Sequence, residues 1–433
     1  MTTKTRTKIS TTKNDLPPTS KHASVAGMSS IRKQYENWVY PLPLQDLDNA
    51  FKAGHLDLSD PSLFRRKLWP RPLEPENLKI LIAGCGTSQA AWTAYRNPGC
   101  EVVGVDISQS SLAHQESLKQ RHGLANLHLH CLNILDIDQL DEQFDFIVST
   151  GVLHHLPDPE AGLRKLKSVL LPHGVMSIML YGWYRRFGVY MMQEAFRLLG
   201  VEQTTAGVAL VRETLDAVPP WHHVKSYFKT APDVNFDGGI VDTFLHPSDR
   251  AYTVKQALQL VSDSGLQFQD WLDRHDYSVA GLIPDTLAIY QPAMRLALPE
   301  RWQLVELLGQ SLGSHRFLLT HPERNPQDYT VDFSTQDGHD PWLTYIPHLR
   351  LPIEVLRPSD PQHITPATLR RFVHEFTLAG PETRMFEMVN GETSIEQIIK
   401  ACSANAEQLE GNRKIARSLF ARMFEWDHLL FQI

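Results

Sequence analysis

Residues 78–83, LKILIA, form an almost wholly apolar run that leads straight into Gly84-Cys85-Gly86 and then a helix-forming stretch, TSQAAW. A strand apolar at nearly every position is buried on both faces, as in a parallel sheet covered by helices. Gly84 and Gly86 remove Cβ atoms where a ligand approaches the backbone, and the helix start beyond them offers unpaired N–H groups. The pattern then alternates in βαβ fashion, with strands predicted at 79–83, 101–105, 126–131, 144–149 and 175–180 and helices over 109–121 and 159–170. A helix, Gly stop and strand over 253–273, and HRFLLTHP as an antiparallel edge strand, complete seven strands. The fold class expected is α/β: a doubly wound, seven-stranded, mostly parallel sheet.

At 433 residues the chain exceeds what one hydrophobic core usually organises. Residues 1–30 read as a disordered basic tail, 31–76 as an N-terminal cap, and 77–321 as the main domain. Within it, 183–252 breaks the βαβ rhythm with Gly, Pro, His and aromatic residues and reads as an inserted lid. A polar stretch at 322–345 reads as a linker, and 346–433 as a small, mainly helical, winged-helix-like domain.

The formal net charge is −7, yet residues 1–33 hold seven basic side chains against Asp15, leaving the remainder at about −13. That balance argues against nucleic acid as the main partner, because surfaces that track phosphates need an excess of Lys and Arg. Residues 350–433 carry ten Lys/Arg against eleven Asp/Glu, which favours packing or protein contact over DNA for the C-terminal domain. Cys85, Cys100, Cys131 and Cys402 form no CxxC pair, so no metal site or disulfide framework is expected and a cytoplasmic setting fits. No apolar run approaches the roughly 20 residues that span a bilayer.

The second strand ends in VVGVDIS, which sets Asp106 where a carboxylate accepts the hydroxyl hydrogens of a ribose. Together with the glycine loop it points to an adenosine-type ligand, either a dinucleotide or S-adenosylmethionine. The third glycine of the dinucleotide pattern GxGxxG falls on Gln89.

After strand four the chain reads FDFIVSTGVLHHLPDPEAGLRKLKSVLLPHGVMSIMLYG. This segment resembles class I S-adenosylmethionine-dependent methyltransferases, which often carry a V-L-H-H-L turn here and an L-x-P-x-G turn into strand five. The resemblance covers Leu78 to Tyr181 and, less closely, Thr253 to Asp273. It implies that Gly84, Cys85 and Gly86 line the methionine part of the cofactor, Asp106 the ribose, Ile107 one adenine face, and Asn133 and Ile134 the adenine edge. Two positions depart from the pattern: Ile82 stands where many relatives have an acidic residue, and Ser88 where they have glycine. The order of modules also resembles bacterial protein lysine methyltransferases with a C-terminal winged-helix domain.

His154 and His155 follow strand four on the face where an acceptor meets the methyl group, and each is a candidate general base. Tyr181 and Trp183 are candidate pocket walls, as are Tyr35, Trp38 and Tyr40 of the cap. His222, His223, His246, Asp249, Arg250 and Tyr252 gather polar groups in the lid. The expected function is methyl transfer from S-adenosylmethionine to a small-molecule or protein side-chain acceptor. The alternative is a non-catalytic adenosine-ligand sensor or scaffold acting through its C-terminal module.

Overall fold

The computed structural model describes residues 25–73, 77–228, 231–309, 312–335, 339–350, 354–356, 367–371 and 374–433. Most of the tail expected at 1–30 lies outside them. The central sheet contains β1 (Lys79–Ala83), β2 (Glu101–Asp106), β3 (Leu127–Cys131), β4 (Phe144–Thr150), β5 (Leu170–Gly182), β6 (Ala251–Tyr252), β7 (Gln267–Trp271) and β8 (Ser314–Thr320). Seven strands run in the order β3-β2-β1-β4-β5-β8-β7, and the two-residue β6 pairs with the end of β5. β1 to β5 are parallel, whereas β8 is antiparallel to both β5 and β7.

Alternation along β1 shows why its run is apolar throughout. Leu81 and Ala83 enter the core on one face of the sheet, Ile80 and Ile82 that on the other. Helices Gln89–Arg96, Gln109–His122, Pro159–Ser168 and Val254–Asp263 supply the covering layers. Each of the last three starts on a side chain, Ser108, Asp158 or Thr253, that accepts a hydrogen bond from its first turn. β1 and β4 pair in register at Ile80–Phe146 and Ile82–Val148, which brings the loops after both strands to one end of the sheet. A ligand site belongs at that carboxyl end, where the strand order reverses.

Residues 183–252 fold into helices Trp183–Leu198, Thr205–Ala217, Val224–Phe228 and Asp237–Phe244 around their own apolar cluster, which includes Val189, Phe196, Val211 and Phe244. Helix Val25–Asn37 packs on helix Gln109–His122, and Trp38 just beyond it joins the lid's cluster.

The C-terminal module packs helices Gly380–Glu387, Ile395–Ala401 and Ala406–Glu425 around Met385, Ile398, Leu419 and Phe420. Strand β9 (Ile346–Leu349) pairs antiparallel with the last strand, β13 (Leu429–Gln432). Between them in sequence, β10 (Glu354–Leu356), β11 (Ala367–Arg371) and β12 (His374–Leu378) form a separate antiparallel sheet. Residues 322–345, expected as a linker, contribute Phe333, Trp342 and Tyr345 to this module's core. Their polar neighbours mask three well-spaced aromatic anchors when composition is averaged. Among the described residues, no helix is long and apolar enough to cross a membrane.

Candidate active site

A cavity of about 240 Å³ opens at the carboxyl ends of β1, β2 and β4. Gly84, Gly86, Asp106, Ile107, Asn133, Ile134 and His155 line it; Cys85 and His154 do not. The two glycines are required by the backbone, with φ of +78° at Gly84 and +53° at Gly86. A Cβ on Gly84 would also lie 2.4 Å from a methyl group of Val152. The Cys85 side chain is buried in the apolar core instead, and burial raises its thiol pKa well above the ordinary value.

Asp106 is held by backbone donors: its two oxygens accept from the N–H of Gly86 at 2.8 Å and of Ser108 at 2.9 Å. Each oxygen retains a lone pair for a ligand hydroxyl. Burial raises the carboxyl pKa, and the backbone donors pull against that rise. Asn133 caps a 3-10 turn, its Oδ1 accepting from Leu135 N–H at 2.9 Å. Its amide NH₂ and second oxygen lone pair stay available at the cavity.

Several supports of the loop carry no sequence signature. Buried Gln115 donates to the carbonyls of Cys85 and Gly86 at 3.0 and 2.8 Å and accepts from Ala91 N–H at 2.8 Å. Ser88 Oγ accepts from Leu44 N–H at 2.9 Å, and Thr87 Oγ1 donates to the Pro41 carbonyl at 3.1 Å. Serine in place of glycine at 88 therefore ties the loop to the cap. Ile82 is fully buried in the sheet core and presents no polar group.

The cap closes the cavity, and the lid meets the cap behind it. Ile31, Tyr35, Tyr40 and Pro41 line it from one side and Tyr181 from another. Tyr35 donates to Asp242 Oδ1 at 2.9 Å, joining cap to lid. Burial lifts the Asp242 carboxyl to about 6.

Behind this wall sits a buried polar cluster. His155 Nδ1 lies 2.8 Å from the Ser248 carbonyl, so that nitrogen carries the proton and Nε2 keeps its lone pair. His246 has the opposite tautomer, because its Nδ1 accepts from Ser248 N–H at 3.0 Å. The two rings stack with centroids 3.9 Å apart. Burial and the neighbouring His155 hold both His154 and His246 well below the ordinary imidazole pKa. Arg186 lies 3.2 Å from the Asp249 carboxylate and 3.6 Å above the Tyr181 ring centroid. Two overlapping trios, His154-His155-Asp249 and His155-Asp242-His246, bring nitrogen and oxygen atoms within 4.8 Å. With its proton on Nε2, His246 offers that nitrogen as a donor and not as a metal ligand.

Other candidates lie apart. Trp183 stacks on Tyr190, His222 accepts from Val224 N–H at 3.1 Å, and His223 packs edge-on to Phe187. Arg250 and Tyr252 are likewise not among the cavity's lining residues. A second cavity of about 560 Å³ shares Tyr40, Met179 and Tyr181 with the first and extends between the lid and β8.

Residues 74–230 match a family model described as a methyltransferase domain. A Synechococcus protein described as uncharacterized is 32% identical over 248 residues, 56% of this chain and 60% of that protein. A ubiquinone biosynthesis O-methyltransferase from Bradyrhizobium diazoefficiens is 31% identical over 101 residues, 23% of this chain and 39% of the relative. A tRNA U34 carboxymethyltransferase from Pseudoalteromonas atlantica is 35% identical over 101 residues, 23% and 30% of the two chains. The chain thus spans about 60% of the first relative's length and less than half of the other two. Among solved structures, PKMT2 from Rickettsia typhi is similar in fold, with a TM-score of 0.63 and 16% identity over 86% of this chain and 76% of that one. Strand order, glycine loop, acidic residue at the end of β2 and domain match agree: residues 74–230 are a methyltransferase domain of the class I, S-adenosylmethionine-dependent kind.

Proposed function

We propose that this chain is an enzyme that transfers a methyl group from S-adenosylmethionine to an acceptor held in the second cavity. The observation that carries this reading is the shared boundary of the two cavities at Tyr40, Met179 and Tyr181. One cavity has the parts that fit an adenosyl ligand, and the other gives an acceptor a route to it.

In this reading Asp106 accepts from the ribose hydroxyls, Ile107 covers one face of the adenine, Asn133 and Ile134 meet its edge, and the loop at 84–86 approaches the methionine part. The cofactor brings an activated methyl group on a sulfonium sulfur, so the protein's task is alignment and exclusion of water. Tyr35 and Tyr40 close the nucleoside side. The Nε2 lone pair of His155 is the proton-accepting atom nearest in role to a general base, while His154, outside the lining, supports Tyr181, whose ring lies 4.0 Å away.

The organisation that goes with this reading is a cap at 31–76, a catalytic domain at 77–321 with its lid at 183–252, and a C-terminal protein-contact module. Four unpaired cysteines, Cys85 among them in the core, favour a cytoplasmic setting. The acceptor is a small molecule or a side group of a macromolecule. Net charge −7 disfavours nucleic acid, although relatives named for tRNA modification keep it within the class to be tested.

Calorimetric titration of S-adenosylhomocysteine into the full chain tests the reading, with Asp106→Ala beside it. Binding that the substitution abolishes is expected; no binding to folded wild type overturns it. Methyl-labelled cofactor mixed with cell extract then assigns the acceptor to the macromolecular or the small-molecule fraction. Binding with label in neither favours the sensor alternative.

A further inference from the structure

We propose that the cleft between the catalytic domain and the C-terminal module is a binding site for a small carboxylic acid with an apolar body, its carboxylate held by Arg301. Such a site goes beyond the methyl-transfer reading and does not depend on it. A cavity of about 350 Å³ occupies the cleft, within the range of about 300–1,000 Å³ usual for small-molecule sites. The cap, β7 and the turn after it, helix Leu298–Gly309 and the C-terminal module all contribute to its wall. Among the described residues it shares none with the cofactor cavity and only Tyr277 with the acceptor cavity.

Much of the wall is apolar. Met294, Leu298 and Trp302 face the cavity from the catalytic domain, and Val331 and Phe431 from the side of the C-terminal module. Leu298 keeps 53% of its surface exposed, which leaves apolar area for a ligand to cover. The charges are unbalanced: Arg66, Lys67, Arg274 and Arg301 line the cavity against Asp270 and Glu425. Asp270 and, behind the wall, Asp427 pair with Lys67 and Arg274, while Arg350, which also faces Asp427, has Asp273 at 2.9 Å. One positive charge is left in excess.

Arg301 is the cation with donors to spare. Its Nε donates to the Leu296 carbonyl at 2.9 Å, which steadies the guanidinium, and its two terminal nitrogens make no hydrogen bond or ion pair with a described residue. A planar fork of this kind matches the two oxygens of a carboxylate. A single excess charge suits a monoanion, whereas a phosphate dianion would bring a second charge without a partner and an ammonium group would be repelled.

Binding of 4-phenylbutyrate, 4-phenylbutan-1-ol and 4-phenylbutylamine to the full chain, measured by saturation-transfer NMR and calorimetry, tests the site. Wild type is expected to prefer the carboxylate over both, and Arg301→Gln, with an unchanged melting temperature, to lose at least about ten-fold in carboxylate affinity. Leu298→Glu, at an exposed position one helical turn before Arg301, sets a competing carboxylate beside the guanidinium and should give a similar loss. Absence of a carboxylate preference in wild type, which needs no variant, overturns the proposal; so does carboxylate binding untouched by Arg301→Gln or Leu298→Glu. Affinity lost in Arg316→Gln instead would move the anion to the acceptor cavity and overturn it too. S-adenosylhomocysteine titrated into the same samples reads the cofactor site separately, so carboxylate binding at Arg301 without nucleotide binding supports this site and overturns only the methyl-transfer reading.

Discussion

Lys67 donates from Nζ to Asp427 Oδ1 at 2.7 Å across 360 residues of chain, and neither side chain reaches solvent. The same carboxylate faces Arg274 and Arg350, each at 3.3 Å. One anion thus joins the cap, the end of β7 and the C-terminal module. Burial alone would raise the Asp427 pKa, but Lys67, Arg274 and Arg350 together hold it well below the usual carboxylate range. Lys67 responds the other way, brought down to about 8 by burial and by Arg274, against the pull of Asp270 and Asp427.

Asp427→Asn removes the anion the three cations share, leaving Lys67 and Arg274 with Asp270 and Arg350 with Asp273, and is expected to cost about 3 kcal/mol. Lys67→Met leaves Asp427 two guanidinium partners and costs less. Urea denaturation of both variants checks the order; Lys67→Met as damaging as Asp427→Asn contradicts the shared-anion account. Because the folded-state pKa is depressed, this stabilisation is whole at neutral pH and disappears as pH falls below about 4 through the folded value.

Gly84→Ala meets two obstacles, the Val152 side chain and a φ of +78°. The substitution is expected to weaken S-adenosylhomocysteine binding strongly. Adding Val152→Ala removes the clash but not the backbone strain of about 1 kcal/mol, so binding returns in part. Full recovery in the double variant would mean that the positive φ matters little.

Gln115→Leu leaves the Gly86 carbonyl and the Ala91 N–H at the start of the following helix without this partner, while the Cys85 carbonyl keeps Gln89 N–H at 3.3 Å. At roughly 1–3 kcal/mol per unsatisfied group, partly relieved by relaxation, a loss of about 2–5 kcal/mol in stability is expected. Nucleotide affinity should fall with it, since the loop it holds includes Gly86, the donor to Asp106. A stable variant with lost affinity would separate loop geometry from folding.

Acid stability should be shaped by three buried groups of the lid cluster. His154 and His246 have depressed pKa values, so the unfolded chain takes up their protons first and stability falls as pH drops below about 6.5. Asp242, raised to about 6, holds its proton more tightly when folded and adds stability as pH falls from about 6 to 4. Asp242→Asn removes that opposing contribution and should steepen the acid loss across this window. Urea midpoints measured from pH 8 to 4 decide it, and an unchanged slope would place the proton elsewhere.

The legible parts of this molecule are those with a local period or a fixed offset. Apolar runs marked β1, β2 and β4 nearly to the residue, and the spacing from Gly84 to Asp106 marked two sides of one cavity. β5 runs longer than its apolar core suggests, from Leu170 to Gly182, because its first residues continue the ladder beside Phe144. Contacts between distant segments left no trace in the pattern. Gln115 sits on an ordinary helix and shows its role only once Cys85 and Gly86 fold onto it, and Tyr35 meets Asp242 across 207 residues. The aromatic residues of 333–345 were hidden for another reason, dilution among polar neighbours.

The bond between Tyr35 and Asp242 also bears on where the working unit begins. The stretch matching the methyltransferase domain starts at residue 74, beyond Ile31, Tyr35, Tyr40 and Pro41, all of which wall the nucleoside cavity. The segment sufficient for the sheet and the segment sufficient for the ligand are therefore different lengths of polypeptide. A chain trimmed to the domain boundary would keep the floor of its site and lose part of the roof.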